Sequence, residues 1–130
     1  MKFIESRLLG VRIDDASHEA LFSIVDTDGV HYTLTLHGVE RLLVTELRQQ
    51  NVIEELTHWQ KEATGASFRE AVFLLITGGF EQECDPQLAL VAATHLDRVV
   101  RGELELMEIT AIFGAQILAS FASMTIRVNT

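Results

Sequence analysis

The sequence predicts an α+β fold: an N-terminal antiparallel β-meander packed against two or more helices from the second half, with a C-terminal strand. Three observations predict it. The first forty residues alternate apolar and polar side chains between turn residues, the second half carries helix start and stop signals, and the last residues alternate again. No linker rich in Pro, Gly or Ser interrupts the chain, so residues 1–130 are expected to form one domain.

The N-terminal strands come first. Leu9, Val11 and Ile13 alternate with Gly10, Arg12 and Asp14, and further runs span residues 20–26 and 30–37. If Thr27-Asp28-Gly29 is a three-residue loop with Gly29 left-handed, the large apolar residues share one face: Ile24 opposite Tyr32, Phe22 opposite Leu34, and Ala20 opposite Leu36. A two-residue turn would place Phe22 against Thr35, so the longer loop is preferred.

Leu21 and Val25 then lie on the opposite face of this meander, among threonines and histidines. That face is therefore neither fully polar nor plainly core. A helix of the same chain or a second subunit would serve equally to cover it.

The sequence pattern leaves the secondary structure of two segments ambiguous. In residues 39–60, two more strands are favoured over one or two short helices, and residues 104–122 could be strand, helix or both. Ala111, Ala115, Ala119 and Ser123 recur at every fourth position. In a helix these small residues would form one groove for close approach of another backbone, within the fold or across a dimer axis; in a strand the spacing means nothing.

The helices of the second half are better marked. Ser67-Phe68-Arg69-Glu70 is a capping-box pattern, and Gly78-Gly79 ends the apolar run that follows. Asp85 precedes Pro86 and begins a second helix that continues to Arg101, before Gly102. Met124, Ile126 and Val128 alternate with Thr125 and Arg127, which predicts a returning strand.

Charge and composition argue against some classes of binding partner. The net charge is −9, so phosphate backbones and anionic headgroups are repelled, and neither nucleic acid nor membrane is an expected partner. The apolar stretch 109–126 contains five polar residues and lacks basic anchors, which argues against a membrane span. The N-terminus shows no apolar signal segment and Cys84 stands alone, so the expected compartment is the cytosol.

Motifs for cofactors and metals are weak. His31 and His37 share a strand face but lie roughly 20 Å apart along an extended chain, too far for one ion; an ion pair of His37 with Glu19 across the hairpin is expected instead. Asp26-Thr27-Asp28-Gly29 lacks the later ligands of a calcium loop and is interpreted as a turn. Carboxylates around Cys84 disfavour its thiolate. No metal, cofactor or catalytic residue is therefore assigned.

His95 is the most notable ionisable residue because it falls in the apolar row of the second helix. Such a histidine is usually a partly buried side chain hydrogen-bonded to a carbonyl; the alternative is an acid or base in a pocket. If a pocket lies between sheet and helices, His95, Trp59 and Tyr32 are its candidate lining residues.

The sequence thus favours a small acidic cytoplasmic domain that is not catalytic and acts by protein–protein interaction, as a homo-oligomer (a dimer) or by binding a basic protein partner. Interface candidates are Ala111, Ala115, Ala119, Ser123, Leu21 and Val25. The alternative is a small-molecule-binding protein or minor enzyme that uses the pocket just described.

Overall fold

Segments with alternating apolar residues form the strands, and the two breaker-free segments form the helices. The computed structural model describes residues 3–79 and 85–129. Its elements are β1 (Arg7–Asp14), β2 (Glu19–Val25), β3 (His31–His37), β4 (Arg41–Thr45), β5 (Val52–Trp59), α1 (Ala66–Thr77), α2 (Pro86–Val100), β6 (Glu105–Phe113), β7 (Gln116–Phe121) and β8 (Ser123–Val128). The strands form one antiparallel sheet in the order β4-β7-β6-β5-β1-β2-β3-β8, a sheet-dominated α+β fold.

The hairpin of β2 and β3 has the register expected from its apolar pairs. Ile24 pairs with Tyr32 and Phe22 with Leu34. Gly29 is left-handed at φ 82°, and Asp26 closes the loop by accepting the Val30 N–H at 2.9 Å. The three-residue loop is therefore confirmed, and so is the interpretation of this segment as a turn.

The segments without a clear prediction are strands. Residues 39–60 contain β4 and β5, which confirms the preferred alternative, and residues 104–122 contain β6 and β7. β5 and β6 form a hairpin in which Trp59 pairs with Leu106, so α1 and α2 are inserted between two paired strands. The predicted returning strand is β8, which pairs with β3.

The sheet bends so that its two terminal strands belong to one long ladder. β3 leads into β4, β7 leads into β8, and these two bent segments pair with each other, β3 with β8 and β4 with β7. The bend falls at Gly38, where φ is 64° and an added Cβ would lie 2.9 Å from the Ala122 Cβ. Only glycine suits both the backbone angle and this close approach.

The sheet encloses one apolar cluster and carries a second on its outer face. The enclosed cluster draws on all eight strands and on the segments beside them, through Phe3, Leu8, Ala20, Phe22, Ile24, Leu34, Leu36, Ile53, Leu56, Met107, Ile109, Ala115, Ile117, Ala119, Phe121 and the partly buried Val11, Tyr32, Val39, Leu42, Val44 and Met124. The second joins α1 and α2 to the outward residues Leu43, Trp59, Leu104, Leu106 and Leu118.

The prediction that the helices pack against the N-terminal meander is wrong. They cover the outer face of β4, β7 and β6, because Leu43, Leu106 and Leu118 make that face apolar. The outer face of the meander instead carries residues such as Thr33 and Thr35. β7 is consequently buried on both faces, which explains its uncharged sequence.

The helix ends agree with the sequence in part. Gly78 ends α1 in the left-handed conformation, and Asp85 caps α2 by accepting the Gln87 N–H at 2.7 Å, as predicted. The capping box at Ser67 is wrong: α1 begins at Ala66 after Gly65, with no side-chain cap. Neither helix in the described ranges is long and apolar enough to cross a membrane.

Candidate functional site

Three neighbouring concavities meet at Glu40, at the end of the sheet where the β1–β2 turn approaches the β3–β4 bend. Glu40 contributes to the wall of all three. Two backbone hydrogen bonds place it: the Val39 N–H donates to the His18 carbonyl at 2.8 Å, and the Glu40 N–H donates to the Ser120 carbonyl at 2.9 Å. We call the turn, the bend and the adjoining face of α2 the Glu40 surface.

A groove of about 350 Å³ lies between α2 and the β3–β4 bend. Leu90, Thr94 and Arg98 are four residues apart on α2, so they lie on one side of the helix. The Thr94 hydroxyl donates to the Leu90 carbonyl at 3.0 Å. The complete lining is Glu40, Arg41, Leu90, Val91, Thr94, His95 and Arg98.

A two-pronged ion pair bridges this groove. Arg98 Nη1 donates to Glu40 Oε1 at 3.0 Å, and Nη2 donates to Oε2 at 2.8 Å. The hydrogen bond from Arg98 lowers the pKa of Glu40, against a smaller opposite effect of burial. Glu40 therefore stays ionised at neutral pH and fixes the position of Arg98.

His95 lies in the wall of the groove with an unusual deficiency. It is only 6% exposed, and its Nε2 atom is buried with no hydrogen-bond partner among the described residues. Burial lowers its pKa; the charge of Glu40 raises it, while Arg98 and Arg41 lower it further. The expected bond from the ring to a carbonyl is not made by Nε2. A neutral ring with an unsatisfied buried nitrogen lowers the stability of the fold.

Trp59 and Tyr32 do not join His95. The Trp59 ring packs 5.9 Å from the Phe68 ring in the helical cluster, and Tyr32 packs edge-on against Phe3 with ring centroids 5.2 Å apart. The space between the helices and the sheet is occupied by their own apolar side chains. The three proposed lining residues thus belong to three different places, and the concave site lies at the end of the sheet.

The small residues at every fourth position do not form a groove. Ala111 lies on β6, Ala119 on β7 and Ser123 on β8, with Ala115 in the turn between β6 and β7. The helix that their interface role required is absent from this segment, because its apolar alternation suits strands buried on one or both faces.

Leu21 and Val25 lie on β2, on the outer face of the meander. Val25 is buried, while Leu21 is half-buried and lines a shallow concavity together with Arg12, Ser23 and Arg127. Neither residue belongs to the cluster that the helices form. Of the two covers considered for this face, a helix of the same chain is therefore not the one used by the described residues.

The histidines do not assemble into a metal centre. His37 Nδ1 lies 2.7 Å from Glu19 Oε2, which confirms the cross-strand pair, and His58 Nε2 lies 2.7 Å from Glu105 Oε1. Within residues 3–79 and 85–129, no three His, Cys, Asp or Glu side chains are placed to share an ion. Cys84 lies outside the described residues.

Sequence reasoning missed Glu40, Arg41 and Arg98, which shape the groove. Glu40 and Arg98 are 58 positions apart, so no local pattern links them. The available signal was a set of neighbouring apolar residues, Leu88, Leu90 and Val91, which cannot all face the core of one helix. No family model, no curated protein and no solved structure matches the chain.

Proposed function

We propose that this protein is a cytosolic protein-binding domain that uses the Glu40 surface to hold a basic segment of a partner protein. One observation carries the proposal: large apolar side chains stand exposed on both sides of Glu40, beside carboxylates. Leu90 on α2 is 70% exposed, and Ile13 on β1 is 64% exposed. Apolar anchors rimmed by charge are typical of binding surfaces.

The fold does not require these apolar residues. The residues that α2 packs against the rest of the protein include Ala92, His95 and Val99, whereas Leu90 and Val91 face the groove. Burial of a leucine side chain against a partner would contribute about 1.5–3 kcal/mol. Leu90 is therefore the expected anchor point.

The charges near the β1–β2 turn favour a cationic segment. Asp14, Asp15 and Glu19 line the concavity on the Ile13 side, and the chain as a whole carries −9. The α2 side is more balanced, because Arg98 neutralises Glu40. A partner would thus place apolar residues beside α2 and Lys or Arg beside the turn, with affinity that falls as salt rises.

Paired surface variants test the proposal. Leu90→Ser and Ile13→Ser remove the two anchors, while Leu47→Ser (54% exposed) and Ile112→Ser (59% exposed) make the same changes near the opposite end of the sheet. Proteins captured from native lysate by the wild type are identified, purified and titrated by calorimetry against all four variants. We expect affinity to fall at least tenfold for the first pair and to stay within twofold for the second.

The partner's own charge completes the test. Neutralising Lys and Arg in the bound segment is expected to weaken binding further and to flatten its salt dependence. Unchanged affinity for both Leu90→Ser and Ile13→Ser would contradict the proposal.

A second candidate is a small-molecule site in the groove, favoured by the unsatisfied Nε2 of His95. If the His95 ring turns toward the groove, a ligand with a hydrogen-bonding group would supply the partner that Nε2 lacks. Fragment titration followed by amide NMR tests it: shifts concentrated at residues 90–98 and lost in His95→Phe would support a ligand site. Saturating fragments that leave these amides unmoved would rule it out.

A further inference from the structure

The strand β8 has one paired side and one open side. Among the residues that the structure describes, β8 pairs only with β3 and is an end strand of the sheet. The Asn129 N–H donates to the His31 carbonyl at 2.8 Å. Because backbone groups alternate in direction along a strand, residues 125 and 127 also point to β3, and residues 124, 126 and 128 point away from it.

The three residues whose backbone groups point to the open side carry apolar side chains, on the same face of the sheet as Tyr32, Leu34 and Leu36. Ile126 and Val128 are exposed large hydrophobic residues, and Met124 is half-buried. β8 contains no proline, its register with β3 is regular over six residue pairs, and its only charge is Arg127. Natural sheet edges are usually blocked by such devices as prolines, bulges and inward charges.

The other open edges do carry protection. β5, which pairs with β1 only at Val52, has register shifts between Val52 and Glu55. β1 has a register shift between Leu8 and Gly10, next to the point where its pairing with β5 stops. β4 is only five residues long and lies against α1. β8 is therefore the edge best suited to accept another strand.

We infer that β8 pairs antiparallel with β8 of a second copy of this chain, about a twofold axis at Ile126. Ile126 then faces Ile126 of the other copy, and Met124 faces Val128, all of them residues whose backbone groups point outward. Thr125 faces Arg127 on the other side of the ladder. About six backbone hydrogen bonds form, and every apolar side chain meets an apolar one.

Charge favours β8 over the rest of the surface as the place where two copies can meet. The chain carries −9, so two copies repel at most approaches, yet β8 contains no carboxylate and contributes a cation, Arg127, near the centre of the contact. In this register the two Arg127 side chains lie opposite threonines. A shift of the axis to position 127 would set arginine against arginine, and such like-charged pairs are destabilising.

This contact is distinct from the Glu40 surface, so each can fail alone. Sedimentation velocity of the purified full chain, from about 5 µM to about 1 mM, detects self-association with a dissociation constant as weak as about 1 mM. We expect a reversible monomer–dimer equilibrium in the wild type. Leu90→Ser, which tests partner binding, is expected to leave that equilibrium unchanged.

Edge-blocking variants locate the contact. In Ile126→Pro the lost N–H is one that points to the open side, so the ladder with β3 is kept; Val128→Lys places a charge on the apolar side. Both are expected to weaken dimerisation at least tenfold, while Ile13→Lys on β1 is expected to have no effect. Circular dichroism confirms that each variant is folded, and Val128→Lys serves if the proline variant is not.

A cysteine placed on the axis tests the register. Paired Cα atoms across a hydrogen-bonded antiparallel pair lie about 5.5 Å apart, within the range that a disulfide spans. In a Cys84→Ser background, Ile126→Cys is expected to form a covalent dimer on mild oxidation, and Ile13→Cys is not. A wild type that stays monomeric at about 1 mM, or a dimer that survives both edge variants, would overturn the inference.

Discussion

Replacing His95 by leucine should make the protein more stable. The Nε2 atom is buried without a hydrogen-bond partner among the described residues, and an unsatisfied buried polar group costs about 1–3 kcal/mol. Leucine and histidine are similar in size, so imperfect packing of the leucine should cost less than about 1.5 kcal/mol. That cost offsets only part of the gain in stability. The net expectation is an increase of about 1 kcal/mol in the free energy of unfolding, or about 3–5 °C in Tm.

The gain should grow in acid. Burial lowers the pKa of His95 from 6.5, against the smaller upward effect of Glu40 and with the help of Arg98 and Arg41. Below about pH 6.5 the unfolded chain therefore binds a proton that the folded chain refuses, and the wild type loses stability as pH falls toward the lowered pKa. His95→Leu lacks this term, so its advantage should be larger at pH 5.5 than at pH 7.5.

Urea unfolding at both pH values measures the effect, with the exposed His31→Leu as the matched control. The control should stay within about 0.5 kcal/mol of the wild type. The reasoning is refuted if His95→Leu is less stable at pH 7.5 and shows the same pH dependence as the wild type, since the ring would then have a partner that stabilises it.

Three further changes test other contacts by the same unfolding assay. Asn51→Ala should cost about 2–4 kcal/mol, because the Asn51 carboxamide accepts from the buried Ala115 N–H at 3.0 Å and joins two loops; unchanged stability would show that water replaces it. Glu108→Gln should be more stable than the wild type at pH 7, because burial raises the pKa of Glu108, and the difference should vanish as pH falls below about 4.5. Glu40→Gln should cost at most about 1 kcal/mol, because the pair of Glu40 with Arg98 is partly exposed. Since Arg98 lowers the pKa of Glu40 from 4.5, the ionised carboxylate stabilises the fold above pH 4.5, and this contribution is lost as pH falls below that value. A loss of stability in Glu40→Gln that persists in 1 M salt would contradict an ionic origin.

Local pairing could be predicted from the sequence because it depends on a period of two. Phe22 and Ile24 can meet Leu34 and Tyr32 only in one register if threonines are to stay outside, and that register is observed. The same reasoning recovered the Glu19–His37 pair. These are contacts between neighbours in one hairpin, where few alternatives compete.

The position of the helices could not be predicted in this way. Leu118 alternates with the inward-facing Ile117 and Ala119, so β7 is apolar on both faces and gives no sign of which face a helix covers. The spacing of Ala111, Ala115 and Ala119 misled for a related reason: four is a multiple of the strand period and is also close to one helical turn.

The concave site depends on contacts that sequence order hides. Glu40 stands in a bend that had been uncertain between helix and strand, and Arg98 reaches it from α2 after the helical insertion. His95 could be singled out, since a histidine in an apolar row is unusual. Its neighbours across the groove could not, because they depend on where α2 lies on the sheet.

The insertion of α1 and α2 at one end of the β5–β6 hairpin has a further consequence. Trp59 and Leu106 are paired, so the helical insertion begins and ends at adjacent points of the sheet. Strand pairing therefore offsets most of the loop-closure entropy of this long insertion. The insertion can therefore change in length or composition while the enclosed apolar cluster of the sheet keeps all its residues. Since α2 supplies one wall of the groove, variation there would alter what the groove recognises without rebuilding the scaffold that holds Glu40.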